Sequence, residues 1–300
     1  MKKIVILFFL VSLSFLQAEW IEFHKRARAD LFEHRSADLN EIEISFYLDG
    51  FEQEQITLEE GSFTRISHPT EGKFMQEGKP DLPRFTRLFA IPDEGIVQFQ
   101  INSIQQEVWE DVTIFPHQEN QLAEDKLSLL MDRTFYQGDA VFPSEIIEIG
   151  SPFILRDARL VSVTINPFNY DPARRALHII SDLNLTIETD SSSKGENPKI
   201  SSRKLSRVYD PIYQSVIQNY EDFTANRNSV FHDPCYLFIY PNVANLLDNL
   251  QYLADWKKQM GYEVHLVNTS VTGATNTAIK SYIQNAYDNW ENPPEFVCLI

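Results

Sequence analysis

Apolar and polar residues alternate with a period of two through most of the first two-thirds of the chain. Val97, Phe99 and Ile101 are separated by Gln98 and Gln100, and Val161, Val163 and Ile165 by Ser162 and Thr164. Leu177, Ile179, Leu183, Leu185 and Ile187 share one parity against His178, Asp182, Asn184 and Thr186. Side chains of a strand point to opposite faces in turn, so the pattern predicts antiparallel strands with one face on a core and one in water. Asp171-Pro-Ala-Arg-Arg175, between the last two runs, predicts a hairpin turn. Prolines at 69, 80, 83, 92, 116, 143, 152 and 167 fall between runs, where a missing N–H breaks no ladder. Residues 19–189 are expected to form an all-β, sandwich-like unit.

The period changes near residue 205. Residues 190–207 are polar with five basic side chains, and 190–233 reads as an exposed linker with one short helix. That helix is expected over 211–223, capped by Asp210, with Ile212, Val216, Ile217 and Tyr220 on one face. From Cys235 onward, strands alternate with helices. A strand over 235–240 precedes a helix carrying Val243, Leu246, Leu247, Leu250, Leu253 and Ala254 and ending at Gly261. A strand over 262–267, a helix over 275–290 and a strand from Phe296 follow. This is the opening of a doubly wound parallel sheet. Three strands and two helices leave such a core open, so 234–300 is expected to be the start of an incomplete α/β domain, and the chain the N-terminal portion of a longer protein.

The first residues are an address rather than a fold. Lys2 and Lys3 precede an uncharged apolar run over 4–11, extended by Leu13, Phe15 and Leu16, and Ala18 supplies a small residue before Glu19. This predicts a Sec signal peptide over 1–18 cleaved after Ala18. Leu16 is less typical than Ala at the third position before the cut. Cleavage removes two lysines and no acid, moving the formal charge from −17 to −19. No later apolar run is long enough to span a bilayer of about 30 Å, so the mature chain is expected to be exported, secreted or at the cell surface, without membrane insertion.

With 43 acidic against 26 basic residues, the surface repels phosphate backbones, and nucleic acid is excluded as a partner. The seven histidines show no zinc spacing, and the chain has no HExxH, CxxC, Walker loop, GxGxxG or GxSxG. No metal or cofactor site is identifiable. Cys235 and Cys298 sit in apolar runs and read as buried free thiols. His265 reads as a core or sheet-face residue, and His232-Asp233-Pro234 as a turn. Arg203, Lys204 and Arg207 in the linker, and Arg227 in the polar stretch 224–229, are candidate processing sites because exposed basic backbone is where proteases cut.

Glu77-Gly-Lys-Pro-Asp-Leu-Pro83 followed by Arg87-Leu-Phe-Ala-Ile-Pro92, and Arg156-Asp-Ala-Arg-Leu-Val-Ser-Val-Thr-Ile-Asn-Pro-Phe-Asn-Tyr-Asp-Pro172, resemble two hallmarks of the propeptide of gingipain-type cysteine peptidases. Tyr236-Leu-Phe-Ile-Tyr-Pro241, Leu253-Ala-Asp-Trp-Lys-Lys-Gln-Met-Gly-Tyr262, Ala278-Ile-Lys-Ser-Tyr-Ile283 and Pro293-Pro-Glu-Phe-Val-Cys-Leu-Ile300 resemble the start of that family's catalytic domain. The resemblance implies a secreted zymogen: a β-rich prodomain that keeps a caspase-like peptidase domain latent, with a Cys-His dyad expected beyond Ile300. Its partners would be its own catalytic domain and, at full length, protein substrates; the 300 residues alone should be inactive. A structural calcium is implied by the family only. Since a basic prodomain residue can mimic the substrate side chain in this family, Lys126 and Arg133, in the non-alternating segment 116–134, are candidates for an inhibitory loop. The alternative is a stand-alone secreted inhibitor, binding or adhesive β module with a vestigial α/β remnant.

Overall fold

A computed structural model describes residues 18–23, 30–119, 129–199, 204–225 and 231–300. The alternation of the first two-thirds becomes three antiparallel sheets, but Phe99 and Ile101, expected on a core face, are exposed because their strand pairs on one side only and little packs over it. One joins strands Phe168–Asp171, Ala176–Asp190, Glu41–Tyr47, Phe32–Asp38 and Ile96–Trp109; a second joins Phe153–Leu155, Ala158–Ile165, Pro83–Ala90, Gly72–Lys73 and Ile147–Ile149. Glu19–Glu22, Gly50–Leu58 and Gly61–Ser67 form the third. The two larger sheets face each other across one core. Ile42, Ile44 and Phe46 from the first meet Phe85, Phe89, Val161 and Val163 from the second, all essentially inaccessible.

Aromatic edges lock this interface. Phe46 packs edge-on to Phe85, with ring centroids 5.3 Å apart, and Phe51 of the third sheet packs edge-on to Phe168 of the first at 5.1 Å, the arrangement that the ring quadrupole favours. Phe46→Ala would remove a fully buried ring from the centre of both sheets. It is expected to lower unfolding free energy by about 3–5 kcal/mol, read from the urea midpoint.

The predicted hairpin is present: strand Phe168–Asp171 pairs with the start of Ala176–Asp190, and Arg175 takes a left-handed backbone at φ 51°. The linker differs from expectation in two places. Residues 191–198 expose most of their side chains, yet their backbone is held down. Arg159, fully buried, donates from Nη1 to the Pro92 carbonyl, from Nη2 to Gly95 and Glu196, and from Nε to Asn197. Gly195 crosses so close to Gly95 that a Cβ would stand 1.8 Å from the Gly95 oxygen, and its φ is +64°; only glycine fits.

The single predicted helix over 211–223 is two, Asp210–Val216 and Tyr220–Ala225. Residues 217–219 break it because they bond to the sheet instead. Gln218 N–H donates to Leu88 O at 2.8 Å, and the fully buried Asn219 amide exchanges two hydrogen bonds with Ala90. Asp210 lies in the first turn rather than at the cap, which is Tyr209. Leu205, Tyr213, Ile217 and Phe223 are buried against Ala90, Ala158 and Leu160, so this segment belongs to the β-rich unit's packing.

The α/β part is a parallel sheet in the order Glu263–Asn268, Cys235–Tyr240, Pro294–Leu299, with helices Leu246–Gln259 and Asn276–Asn289. Thr275 caps the second helix by accepting from Ala278 N–H at 3.2 Å. The small core of Leu237, Ile239 and Ala286 is joined by half-buried Val267, Ile279 and Ile283. Tyr252, Trp256 and Leu299 are largely exposed.

Candidate functional site

The β-rich and α/β units meet through buried charge. The hairpin between strands Phe153–Leu155 and Ala158–Ile165 turns on two residues, Arg156 and Asp157. Arg156 adopts φ 51°, a region where a Cβ is unfavourable and glycine the ordinary choice. Its guanidinium lies over the Tyr209 ring at 4.6 Å and makes an ion pair with Glu295 Oε2 at 2.6 Å. The Glu295 side chain is wholly inaccessible.

Glu295 is buried because of a bulge. In the pairing of Cys235–Tyr240 with Pro294–Leu299, Cys235 faces Pro294 and Tyr236 faces Phe296, which leaves Glu295 as the extra residue. A bulge re-aims the side chain it carries. Here the carboxylate meets three groups. Besides Arg156, Ser206 Oγ donates to Oε1, and His232 Nε2 stands 3.4 Å from the same oxygen. Ser206 is itself fixed: its N–H donates to Asp157 Oδ2 at 3.2 Å, and Tyr213 Oη donates to that oxygen at 3.1 Å. Burial and the Asp157 charge push the Tyr213 phenol well above its ordinary range, so it stays a donor. Leu205–Ser206 and Phe231–His232 also pair as short parallel strands.

Of the candidate processing residues, Lys204 and Arg207 are exposed at this junction, 3.8 Å from Glu291 and Asp233 respectively. Arg203 and Arg227 lie outside the described residues, as does Lys126. Ala18 is exposed at the start of the described chain. Arg133 opens the short helix Arg133–Tyr136 on the β-rich unit, is exposed, and is not among the residues of the junction. The segment expected to hold the inhibitory loop has a well-defined base. The Gln118 side chain accepts from Leu130 N–H and donates to Leu130 O. Gly78, at φ 75°, donates to His117 O and accepts from Asp132 N–H, so the Glu77–Pro83 motif ties both flanks together.

His232, expected in a turn, is a buried member of the Glu295 cluster. Cys235 is buried as expected; Cys298 is only partly so, because its strand lies at a sheet edge. His265 lies on the sheet face against Trp290, with Nε2 2.8 Å from Glu263 Oε1. Hydrogen bonds from Asn292 and His265 hold the Glu263 carboxyl below its ordinary pKa. No thiol–imidazole pair occurs among the described residues' hydrogen bonds. Among them, too, there is no group of three or more His, Cys, Asp and Glu that could hold a metal ion. No described helix is long and apolar enough to cross a membrane.

The sequence pattern assigned Glu295 no role and gave Arg156 only as the first residue of the propeptide hallmark. Their pairing had no local signal beyond an acid at the entrance to an otherwise uncharged strand and an arginine at a two-residue turn.

The family model Propeptide_C25 matches residues 28–228, and Peptidase family C25 matches 230–300. The chain belongs to the gingipain-type propeptide family. The boundary between the two matches falls where the β-rich unit hands over to the α/β unit, so these are called the propeptide and peptidase units below. Gingipain R2 of Porphyromonas gingivalis is 25% identical over 276 residues, covering 88% of this chain and 36% of the relative. Lys-gingipain of the same organism is 19% identical over 259 residues, covering 83% of this chain and 15% of the relative. The chain thus spans about a third or less of the relatives' length. The solved complex of Porphyromonas gingivalis RgpB pro- and mature domains shares the fold, with a TM-score of 0.56 at 24% identity over 65% of this chain and all of that one.

Proposed function

We propose that these residues form the N-terminal part of a secreted cysteine endopeptidase zymogen, in which the propeptide unit holds the peptidase unit latent. The observation that carries this reading is the buried Arg156–Glu295 pair, which seats a propeptide-type unit on the start of a peptidase-type unit within one chain. The resemblance supplies the chemistry: a cysteine thiolate attacks the peptide carbonyl, and an imidazole then protonates the leaving amine. Cys235, Cys298 and His265 do not match the family's dyad positions, so residues 1–300 alone are expected to hydrolyse no peptide. Export by the signal peptide, surface or extracellular location and processing at Arg203, Lys204, Arg207 or Arg227 belong to the same proposal.

Latency requires part of the propeptide unit to occupy the substrate cleft. Lys126 and Arg133 remain the candidates, because a cationic side chain opposite an acidic specificity pocket binds there in place of substrate. The test is the inhibition constant of residues 19–228 against the mature enzyme from the same gene. Lys126→Ala or Arg133→Ala is expected to raise it more than about tenfold, since loss of a buried charge pair is worth on the order of 2 kcal/mol. A change below about threefold for both would remove the loop assignment. Failure of the unsubstituted propeptide to inhibit would remove the latency reading itself.

A further inference from the structure

The Glu295 bulge interrupts the pairing of its strand, and the carboxylate it carries is wholly buried and turned toward the other unit. The partner side is irregular too. Arg156 holds a left-handed backbone that glycine would adopt with less strain. Two local irregularities, one in each unit, therefore converge on a single contact of 2.6 Å.

From this we infer that Glu295 is the residue by which the peptidase unit recognises and retains its own propeptide unit once the chain between them has been cut. The inference rests on the zymogen reading above and adds to it the surface and the partner. The recognition surface on the propeptide side is the Arg156–Asp157 turn with Ser206; on the peptidase side it is Glu295 with His232. Complementarity is specific. An acidic group, stripped of water, finds an arginine, a hydroxyl donor and an imidazole nitrogen, and Asp157 and Tyr213 hold the hydroxyl-bearing residue in place. A buried carboxylate that loses its arginine has no water to replace it, so the wrong partner is penalised strongly. The weaker outer pairs, Lys204 with Glu291 and Arg207 with Asp233, are exposed and contribute little to retention.

The experiment uses the whole chain with a long specific-protease site inserted after Asn228. After complete cutting, the two fragments are separated by size exclusion and their dissociation constant is measured by dilution. Unsubstituted fragments should co-elute. Glu295→Gln, which keeps the shape and an acceptor for Ser206, should weaken association at least tenfold. Arg156→Gly should do the same while leaving the melting temperature of the uncut propeptide unit unchanged or higher, because glycine suits the turn. That split separates recognition from a merely structural role. The double variant should be no weaker than either single one, because both remove one shared contact. The inference is overturned if either single change weakens association less than about threefold, or if the two effects add. Separation of the unsubstituted fragments on cutting would instead overturn the docking reading beneath it.

Discussion

Arg159→Met is expected to lower the melting temperature of the propeptide unit by roughly 10 °C and to open residues 191–199 to trypsin. The guanidinium serves the Pro92, Gly95, Glu196 and Asn197 carbonyls at 2.7–3.1 Å, and it is wholly inaccessible. Burial works against its charge, while the nearby carboxylates of Asp93 and Glu94 work for it. Methionine fills the volume but donates nothing. Each lost hydrogen bond, the one to Gly95 being fully buried, costs on the order of 1 kcal/mol, about 3–4 kcal/mol together, and a unit of this size loses roughly 3 °C per kcal/mol. Without the guanidinium, segment 191–199 is held by single scattered bonds: Gly95 N–H to Lys194 O at 3.0 Å, Asn197 Nδ2 to Pro152 O at 2.7 Å, Ser191 Oγ to Asn40 Oδ1 at 2.8 Å and Lys199 N–H to Asp93 O at 2.6 Å. In the variant the first tryptic cuts should therefore move to Lys194. Wild-type melting and an unchanged digestion map would show that the segment is anchored elsewhere.

Alkylation of Cys235 at pH 8 is expected to be roughly a thousandfold slower than that of an ordinary thiol, since each unit of pKa is a tenfold change in thiolate. Burial, helped by the Glu263 and Glu295 charges, pushes this thiol from its ordinary 9.0 up to about 12. The partly exposed Cys298 should take the label first. The same shift fixes a stability profile. The folded pKa is raised, so the group's contribution is fully present below pH 9.0 and is lost as pH rises toward about 12. Urea midpoints of the peptidase unit should fall across that window, and Cys235→Ala should flatten the fall. Rapid labelling of Cys235 in the folded chain would contradict its burial and reopen it as a reactive group.

The order of elements was legible in the residue pattern because each rule behind it is local. Period-two runs such as Leu183, Leu185 and Ile187 need only their own neighbours to specify a strand with one wet face, and Ile42, Ile44 and Phe46 obey the same rule. Thr275 and Gly261 mark helix ends through backbone geometry that is set within a few residues. The family motifs were legible for the same reason, as short stretches in fixed order.

Tertiary structure decided what the charges and polar side chains do. Arg156 and Arg159 stand three residues apart in one motif, yet one reaches across to the peptidase unit and the other clamps the propeptide unit's own linker. Residues 211–223 have a continuous helical stripe, but the Leu88 and Ala90 edge offers backbone partners to Gln218 and Asn219, and the helix gives way there. Glu295 shows the limit most clearly. One extra residue in a strand, set by pairing with Cys235 and Tyr236, turns a solvent-seeking carboxylate into the most buried charge at the junction. Hydrophobic periodicity is written along the chain, whereas the partner of a buried charge is fixed only when distant segments are brought together and water is removed between them.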